Sequence, residues 1–413
     1  MCADHNIRLV DIQDQGLRPL VNSAKCRKCG ECVNVCPGIW SVHEHHFNSE
    51  TIPQLRRSWG PVLEVLEGYA ANPEIRYKGS SGGVATALAL FCLENEQISG
   101  VLHISAKPEA PLQNVPVFSK SREELLACAG SRYSPAAPCE KLNWVDVSDS
   151  PCVFIGKPCD VVALRKSQTV NSNLNKKVGL TIGIFCAGTP TTKGTYKLLD
   201  ALGVKPEQVE HLRYRGCGWP GMTTVKVRGS EQTHHMTYEE SWGGILSKYA
   251  QLRCRLCPDS TGEFADISCG DAWYREVGSG EPGRSLVLVR TERGHRILHK
   301  AMESGYIELE RVQPEVLAAS QKALLNKRQN LFGRLLAMRI LRVPVPKYRG
   351  FALFRNWLRL PVIKKMSSVL GTFRRIITRR LWRSLPNDGR TSNCINEVEK
   401  GVEQPRKLGA DSG

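Results

Sequence analysis

Apolar runs of strand length alternate with helix-forming stretches through the middle of the chain. The turn Gly79-Ser80-Ser81-Gly82-Gly83 leads into residues 84–93, an apolar run of good helix formers. Residues 100–104 then have the pattern of a short buried strand. The same grammar recurs. Residues 151–156 form an apolar run ending in glycine, Lys157-Pro158-Cys159-Asp160 makes a tight turn, and a helix starts at Val161. Residues 178–186 predict another buried strand, and residues 189–202 a helix with Thr192 as a candidate cap. Residues 285–290 and 294–302 complete one more strand–helix pair. Strands alternating with helices predict an α/β body with a mixed, mostly parallel sheet.

The flanks differ from this body. Residues 1–24 are expected to be a leader that packs onto the body or frays, and residues 25–50 carry the first cysteine cluster. The tail, residues 331–413, mixes basic and bulky apolar groups at helical spacing over 351–360 and 373–382, with disorder expected from about Asn387. Nowhere do about 18 apolar residues run uninterrupted, so no membrane-spanning helix is expected. The opening Met1-Cys2-Ala3-Asp4-His5 lacks the basic-then-apolar layout of a secretory signal, which predicts a cytoplasmic protein.

The chain has 413 residues, 41% of them hydrophobic, enough for two or three domains with a substantial core. Its formal charge is +17, unevenly spread. About fourteen Lys and Arg and no acidic residue fall between Leu331 and Leu385, a block that marks an interaction segment. The body is therefore near neutral, and no specific nucleic-acid partner is expected. The tail instead predicts peripheral contact with the inner face of a membrane, with Trp357 and Trp382 at the interface, or packing on the body or a partner.

Sixteen cysteines in a reducing compartment point to metal ligands or redox groups rather than disulfides. Cys26, Cys29, Cys32 and Cys36 followed by Pro37 have the C-x2-C-x2-C-x3-C-P spacing of a ferredoxin-like [4Fe–4S] loop. Two-residue gaps let a tight loop point thiolates at three irons, and Gly30 lets the backbone pass close to the sulfides. Zinc sites use two ligand pairs with a longer gap, which fits this run badly. Either Cys36 closes its own cluster, or it and a distant cysteine trade places between two clusters. Cys254 and Cys257 form a second C-x2-C pair, Cys159 follows a strand and Cys186 ends one, so these four are expected to converge on a second [4Fe–4S] site. Cys217 and Cys269 stand in reserve, while Cys92, Cys128, Cys139, Cys152 and Cys394 have the pattern of apolar filler.

The Gly79–Gly83 turn opens a helix, and successive N–H groups at a helix N-terminus make an anion site to which Lys78 would add charge. A plain helix cap explains the same residues as well. Asp259, Asp266 and Asp271 are candidates for flavin or proton contacts, or for turn caps.

Six segments occur in order: Gly79-Ser80-Ser81-Gly82-Gly83-Val84, Gly130-Ser131-Arg132-Tyr133, Gly156-Lys157-Pro158-Cys159, Arg215-Gly216-Cys217-Gly218-Trp219-Pro220-Gly221, Cys254-Arg255-Leu256-Cys257-Pro258-Asp259 and Ala265-Asp266-Ile267-Ser268-Cys269-Gly270-Asp271-Ala272-Trp273. Together, over about residues 25–325, they resemble the coenzyme F420 hydrogenase/dehydrogenase beta-subunit family, which also contains 7-hydroxymethyl chlorophyll a reductase. The resemblance implies an N-terminal domain over 60–150 and a C-terminal domain over 151–330. It also implies an iron–sulfur flavoprotein oxidoreductase holding FAD and one or two [4Fe–4S] clusters. The Gly79–Gly83 turn would hold FAD phosphates, Arg132 and Tyr133 would lie near the flavin, and Gly156, Pro158 and Cys159 would touch flavin and cluster. A ferredoxin or partner redox subunit would supply electrons, and hydride would pass between FAD and F420 or another organic carrier. The alternative is an electron-transfer subunit of a larger complex with no substrate of its own.

Overall fold

A computed structural model describes residues 6–43, 50–275 and 282–378. Its centre is an eight-stranded sheet. In chain order the strands are β1 (Glu64–Ala70), β2 (Gly100–Lys107), β3 (Ala110–Ser119), β4 (Cys152–Gly156), β5 (Val178–Ile184), β6 (Ile267–Asp271), β7 (Ser285–Val289) and β8 (Ile307–Arg311). They lie side by side as β8-β1-β7-β6-β5-β4-β2-β3. Only the central neighbours β6–β5, β5–β4 and β4–β2 are parallel. The pairs β8–β1, β1–β7, β7–β6 and β2–β3 are antiparallel. The sheet is thus mixed rather than mostly parallel. The hairpin β2–β3 turns within a few residues, and β1 and β8 join from sequence-distant segments, so neither edge needs a crossover helix.

Neighbouring residues on one strand enter opposite layers, as the two-residue period of a strand demands. Leu66, Val101, Val153 and Val287 pack with helices α1 (Val84–Asn95) and α4 (Glu292–Glu303) on one face. Their chain neighbours Leu102 and Phe154 pack on the other face around Leu164 of α2 (Pro158–Val170), and Val65 and Leu286 around Trp59, Leu317 and Leu324. The start of α2 is locally encoded. Pro158 occupies the first helical position, where its missing N–H costs nothing, and the Asp160 carboxylate accepts from Lys157 N at 3.0 Å. Helix α3 (Thr192–Leu202) begins after Thr191, with Thr192 as its first residue, and buries Leu198 and Leu199 against a small antiparallel sheet that includes Leu212 and Val225.

Both flanks are woven into the body. The described part of residues 1–24 is a hairpin, Ile7–Ile12 with Gly16–Val21, tied to α3 by Lys193 N donating to Gln13 O at 2.7 Å. Residue 331 is no boundary: α5 (Lys322–Ile340) runs through it, burying Leu331, Leu335 and Met338 with Leu256 and Ile376. The composition turns basic there, but the inward-facing positions stay apolar at helical spacing. Strand Trp40–Val42 pairs in parallel with Lys347–Arg349, so the segment after the first cysteine run and the segment after α5 hold each other. Helices α6 (Leu353–Leu358) and α7 (Val362–Thr378) follow and pack on α5. The expected contact of Trp382 and the disorder after Asn387 lie outside the described residues.

Candidate functional site

The carboxyl ends of the parallel strands β4, β5 and β6 bring Gly156, Cys186 and Asp271 to one edge of the sheet, where sites in open α/β folds gather. They open on a cavity of about 310 Å³, closed opposite by the glycine–serine turn and by residues 130–134. Gly83 sits at φ 75°, and a Cβ there would lie 2.7 Å from Ile75 O, so only glycine lets the chain enter α1 at this point. The first-turn N–H groups of α1 have no acceptor within the helix.

The serine hydroxyls mostly brace the turn. Ser80 Oγ accepts from Ser131 N at 2.5 Å, and Ser81 Oγ donates to Arg284 O at 3.0 Å. Gly79, Ser80, Ser81 and Gly83 line the cavity, whereas Gly82 is wedged where a Cβ would lie 2.6 Å from Gly68 O. Lys78 is not in the wall: its ammonium pairs with Glu74 at 2.8 Å on the surface. Arg132 lines the cavity, but its guanidinium is spent on Asn114 Oδ1 at 2.8 Å and on the carbonyls of Leu212 and Pro111, both at 2.7 Å. It therefore joins β3 to the small sheet rather than offering charge. Tyr133 is a wall residue, its ring 4.7 Å from that of Trp242.

One charge facing this cavity belongs to a residue not singled out by its sequence. Arg215 makes a forked pair with Asp271, Nη2–Oδ1 2.7 Å and Nη1–Oδ2 3.0 Å, and also donates to Ser80 O. Burial is the largest single influence and lowers its pKa, but Asp271 together with Tyr133 and Tyr238 outweighs burial and raises it. Tyr238 and Trp273 cover the guanidinium at 4.8 and 5.2 Å, and stack on each other at 5.2 Å. The signal was present in the glycine-rich run that begins at Arg215, where Gly216, Gly218 and Gly221 all have positive φ. Of the three aspartates, only Asp271 faces the cavity. Asp259 caps its own turn, accepting from Thr261, Gly262 and Glu263 N–H groups at 2.8–3.0 Å. Asp266 is held by Thr181 N at 2.9 Å and Thr291 Oγ1 at 2.8 Å.

A second cavity of about 460 Å³ adjoins the first. Cys159, Cys186, Cys254 and Cys257 all line it, together with Pro158 and the cations Arg18, Arg253 and Lys327. Burial raises the thiol pKa of Cys159 and Cys186 and pushes that of Cys257 up to about 12. Arg253 is held above its ordinary value by Cys159 first, against the effect of burial, and then by Cys254, Cys257 and Cys36. Four thiols facing three cations are a donor set for an anionic thiolate-bound group. Their spacing speaks against zinc: bonds of about 2.3 Å to one ion would hold the sulfurs about 3.8 Å apart. Among the described residues, the one group of three ligand-type atoms within 4.8 Å of one another is Glu64, His295 and His299, far from any cysteine in sequence.

The first cysteine run lies beside this cavity. Gly30 at φ 83° turns the chain into the short helix Glu31–Val35, and Cys26 Sγ accepts from Lys28 N at 3.4 Å. Cys29 is exposed, while Cys26, Cys32 and Cys36 are half-buried. Lys166 ties the run to α2, donating to Cys36 O at 3.0 Å and Trp40 O at 2.9 Å. A Cβ on Gly38 would touch both Cys36 Sγ and the Arg253 guanidinium, at 3.5 and 3.9 Å, so Cys36 faces the second group of thiols. Cys217 is exposed, and Cys269 is buried in the first cavity's wall. Cys92, Cys139 and Cys152 are buried and Cys128 is half-buried. Cys394 lies outside the described residues.

Residues 65–143 match the family described as coenzyme F420 hydrogenase/dehydrogenase, beta subunit N-term, and residues 150–315 match the C terminus of the same beta subunit. The coenzyme F420 hydrogenase subunit beta of Methanothermobacter thermautotrophicus is 26% identical over 297 residues, which cover 70% of this chain and 99% of that protein. The coenzyme F420-dependent sulfite reductase of Methanocaldococcus jannaschii is 25% identical, over 72% of this chain and 49% of that protein. A chain of the F420-reducing [NiFe] hydrogenase complex from Methanosarcina barkeri shares the fold, with a TM-score of 0.55 at 24% identity over 70% of this chain and 97% of that one. The two family matches together span more than half of the sequence, and this chain belongs to the coenzyme F420 hydrogenase/dehydrogenase beta-subunit family.

Proposed function

We propose that this chain is an iron–sulfur flavoprotein subunit of an oxidoreductase. It would exchange electrons between two [4Fe–4S] clusters and an FAD, and hydride between FAD and an F420-like or other organic carrier. The observation that carries this reading is a shared wall: Cys186, Gly188 and Thr189 line both the cysteine cavity and the cavity of the glycine–serine turn. A bound flavin would supply the exchange between single electrons and hydride.

The chain's own residues are suited to holding these groups. Cys159, Cys186, Cys254 and Cys257 offer four thiolates, and Arg18, Arg253 and Lys327 balance their charge. The N-terminal turn of α1 offers N–H donors to a diphosphate, with glycines giving it close approach. Tyr133, Tyr238 and Trp273 give the rest of that cavity aromatic walls, and the Arg215–Asp271 pair fixes its floor. Exposed Cys29 marks the side on which a ferredoxin or partner redox subunit would meet the first cluster. Fourteen free cysteines among the described residues suit a reducing cytoplasm. Among those residues no helix is long and apolar enough to cross a membrane.

Anaerobic purification with iron, sulfide and flavin quantified tests the proposal. About eight irons and one FAD per chain are expected; colourless, iron-free protein overturns it. Bleaching of the flavin by reduced F420 in the isolated chain would assign it a carrier of its own, and bleaching only with a partner subunit would leave it an electron-transfer subunit.

A further inference from the structure

Helix α7 is amphipathic in the opposite sense to a helix that merely coats a soluble body. Its inward face is largely hydroxylic: Ser368 and Thr372 are buried against α5, with Ile376 beyond them. Ser368 Oγ accepts from Trp357 Nε1 at 3.0 Å and donates to Lys365 O at 2.6 Å, and Thr372 Oγ1 donates to Ser368 O at 2.8 Å. Gly333 of α5 lies directly opposite, where any Cβ would overlap Ser368 Oγ. This close approach pins the rotation of α7 about its own axis.

The outward face is therefore fixed, and it is apolar. Ile363, Met366, Leu370 and Ile377 recur at i, i+3, i+7 and i+14 and are 82%, 56%, 55% and 55% exposed. Val362 on the same helix and Phe354 and Leu358 on α6 are also exposed. Scattered exposed apolar side chains need no explanation, but Ile363, Met366 and Leu370 are neighbours on one helix face, and such a cluster marks an interaction surface. Exposed cations accompany it: Arg355, Arg359 and Lys364 are exposed, and exposed Arg374 falls on the same face between Leu370 and Ile377. No acidic residue occurs anywhere from Leu331 to Leu385. Trp357, expected at an interface, instead packs inward, its ring 5.3 Å from that of Phe332.

We infer that α6 and α7 lie on an anionic lipid surface, with Ile363, Met366 and Leu370 entering the boundary of the acyl chains and the flanking cations meeting the headgroups. A protein partner with an apolar groove would need acidic residues around it, but it would not require this chain to exclude every acid over more than fifty residues. A negatively charged bilayer face rewards that one-signed block along its whole length. The inference rests on α5, α6 and α7 alone and is independent of the redox reading.

The test uses the full chain, purified anaerobically, in flotation with vesicles of phosphatidylglycerol and phosphatidylcholine and with vesicles of phosphatidylcholine alone. Binding is expected to the anionic vesicles at low salt, falling at least tenfold in 0.5 M salt and at least tenfold in the variant Ile363→Glu/Met366→Glu/Leu370→Glu. These positions face outward, so the variant should keep the wild-type thermal midpoint and iron content; Lys364→Glu/Arg374→Glu gives an independent arm that alters charge alone. Equal binding to neutral vesicles, or binding unchanged in both variants, overturns the inference. So does a chain that ignores vesicles but forms dimers in sedimentation that the triple variant abolishes, because the occupant would then be a second copy.

Discussion

Arg215 and Asp271, 56 residues apart, meet in a buried two-point pair at the mouth of the parallel strands, with side chains only 3% and 16% exposed. β6 delivers Asp271 and the glycine-rich run delivers Arg215, so the pair joins the small sheet to the large one. Removing one partner leaves the other charge buried without compensation, which costs more than the pair contributes. Asp271→Ala should lower stability by about 3–5 kcal/mol, and denaturant titration of the purified variant measures it. The double variant Arg215→Met/Asp271→Leu should recover much of that loss. If both variants unfold at the same denaturant concentration, Arg215 is not held by Asp271 in the way described.

The two cysteine groups should empty separately. Cys254→Ser and Cys159→Ser each remove one thiolate from the cavity beside Arg253, and each should cost about half of the bound iron. Cys29→Ser should remove the other half. Cys269→Ala is the control: its thiol is buried in apolar surroundings and pushed up to about 12 by burial, so iron should be unchanged. Iron and sulfide assays with low-temperature electron paramagnetic resonance distinguish these outcomes.

How much of this was legible in the sequence depends on the range over which each feature is encoded. Helix α1 and strands β4, β5 and β7 follow from local runs of apolar residues, and the structure places them within a residue or two of the pattern. The antiparallel margins were not legible, because nothing in residues 64–70 or 307–311 says that they pair with each other across more than 230 residues. The four scattered cysteines were legible as a set through their spacing and strand-end positions. Arg18, Arg253 and Lys327, which surround them, were not, since a lone cation carries no periodic signal. Lys78 was named for its charge and Arg132 through the family resemblance, but neither signal could reveal that Glu74 and backbone carbonyls already engage them.

His103 makes part of the fold sensitive to pH. It is 7% exposed in the wall of the first cavity, 2.8 Å from Ser119 Oγ, and burial lowers its pKa to about 4. A histidine whose folded pKa is depressed stays neutral when folded but takes up a proton when unfolded. Its contribution is complete above about pH 6.5 and is lost as pH falls toward 4, on the order of 3 kcal/mol across that window. His103→Gln keeps hydrogen-bonding capacity without titrating there. The stability difference between wild type and this variant should therefore shift against the wild type on acidification from pH 7 to pH 4.5. A difference independent of pH would show that His103 titrates in the fold as it does unfolded, so that burial does not depress it.

The seam between α5 and α7 depends on Gly333 having no side chain. A methyl group there would overlap Ser368 Oγ and come within 2.8 Å of Trp357 Nε1, so Gly333→Ala must push the two helices apart or turn Ser368 out of its bonds. Overpacking of this kind costs about 1–3 kcal/mol. The loss should be local, because the three atoms nearest to a Cβ at Gly333 all belong to Ser368 and Trp357. Limited proteolysis should cut residues 361–378 several-fold faster in Gly333→Ala while the body resists as before. Ser368→Gly in the same chain removes the overlapping atom, and the double variant should regain most of the protection. Protection that stays lost in the double variant would mean that the overlap with Ser368 is not what Gly333 avoids.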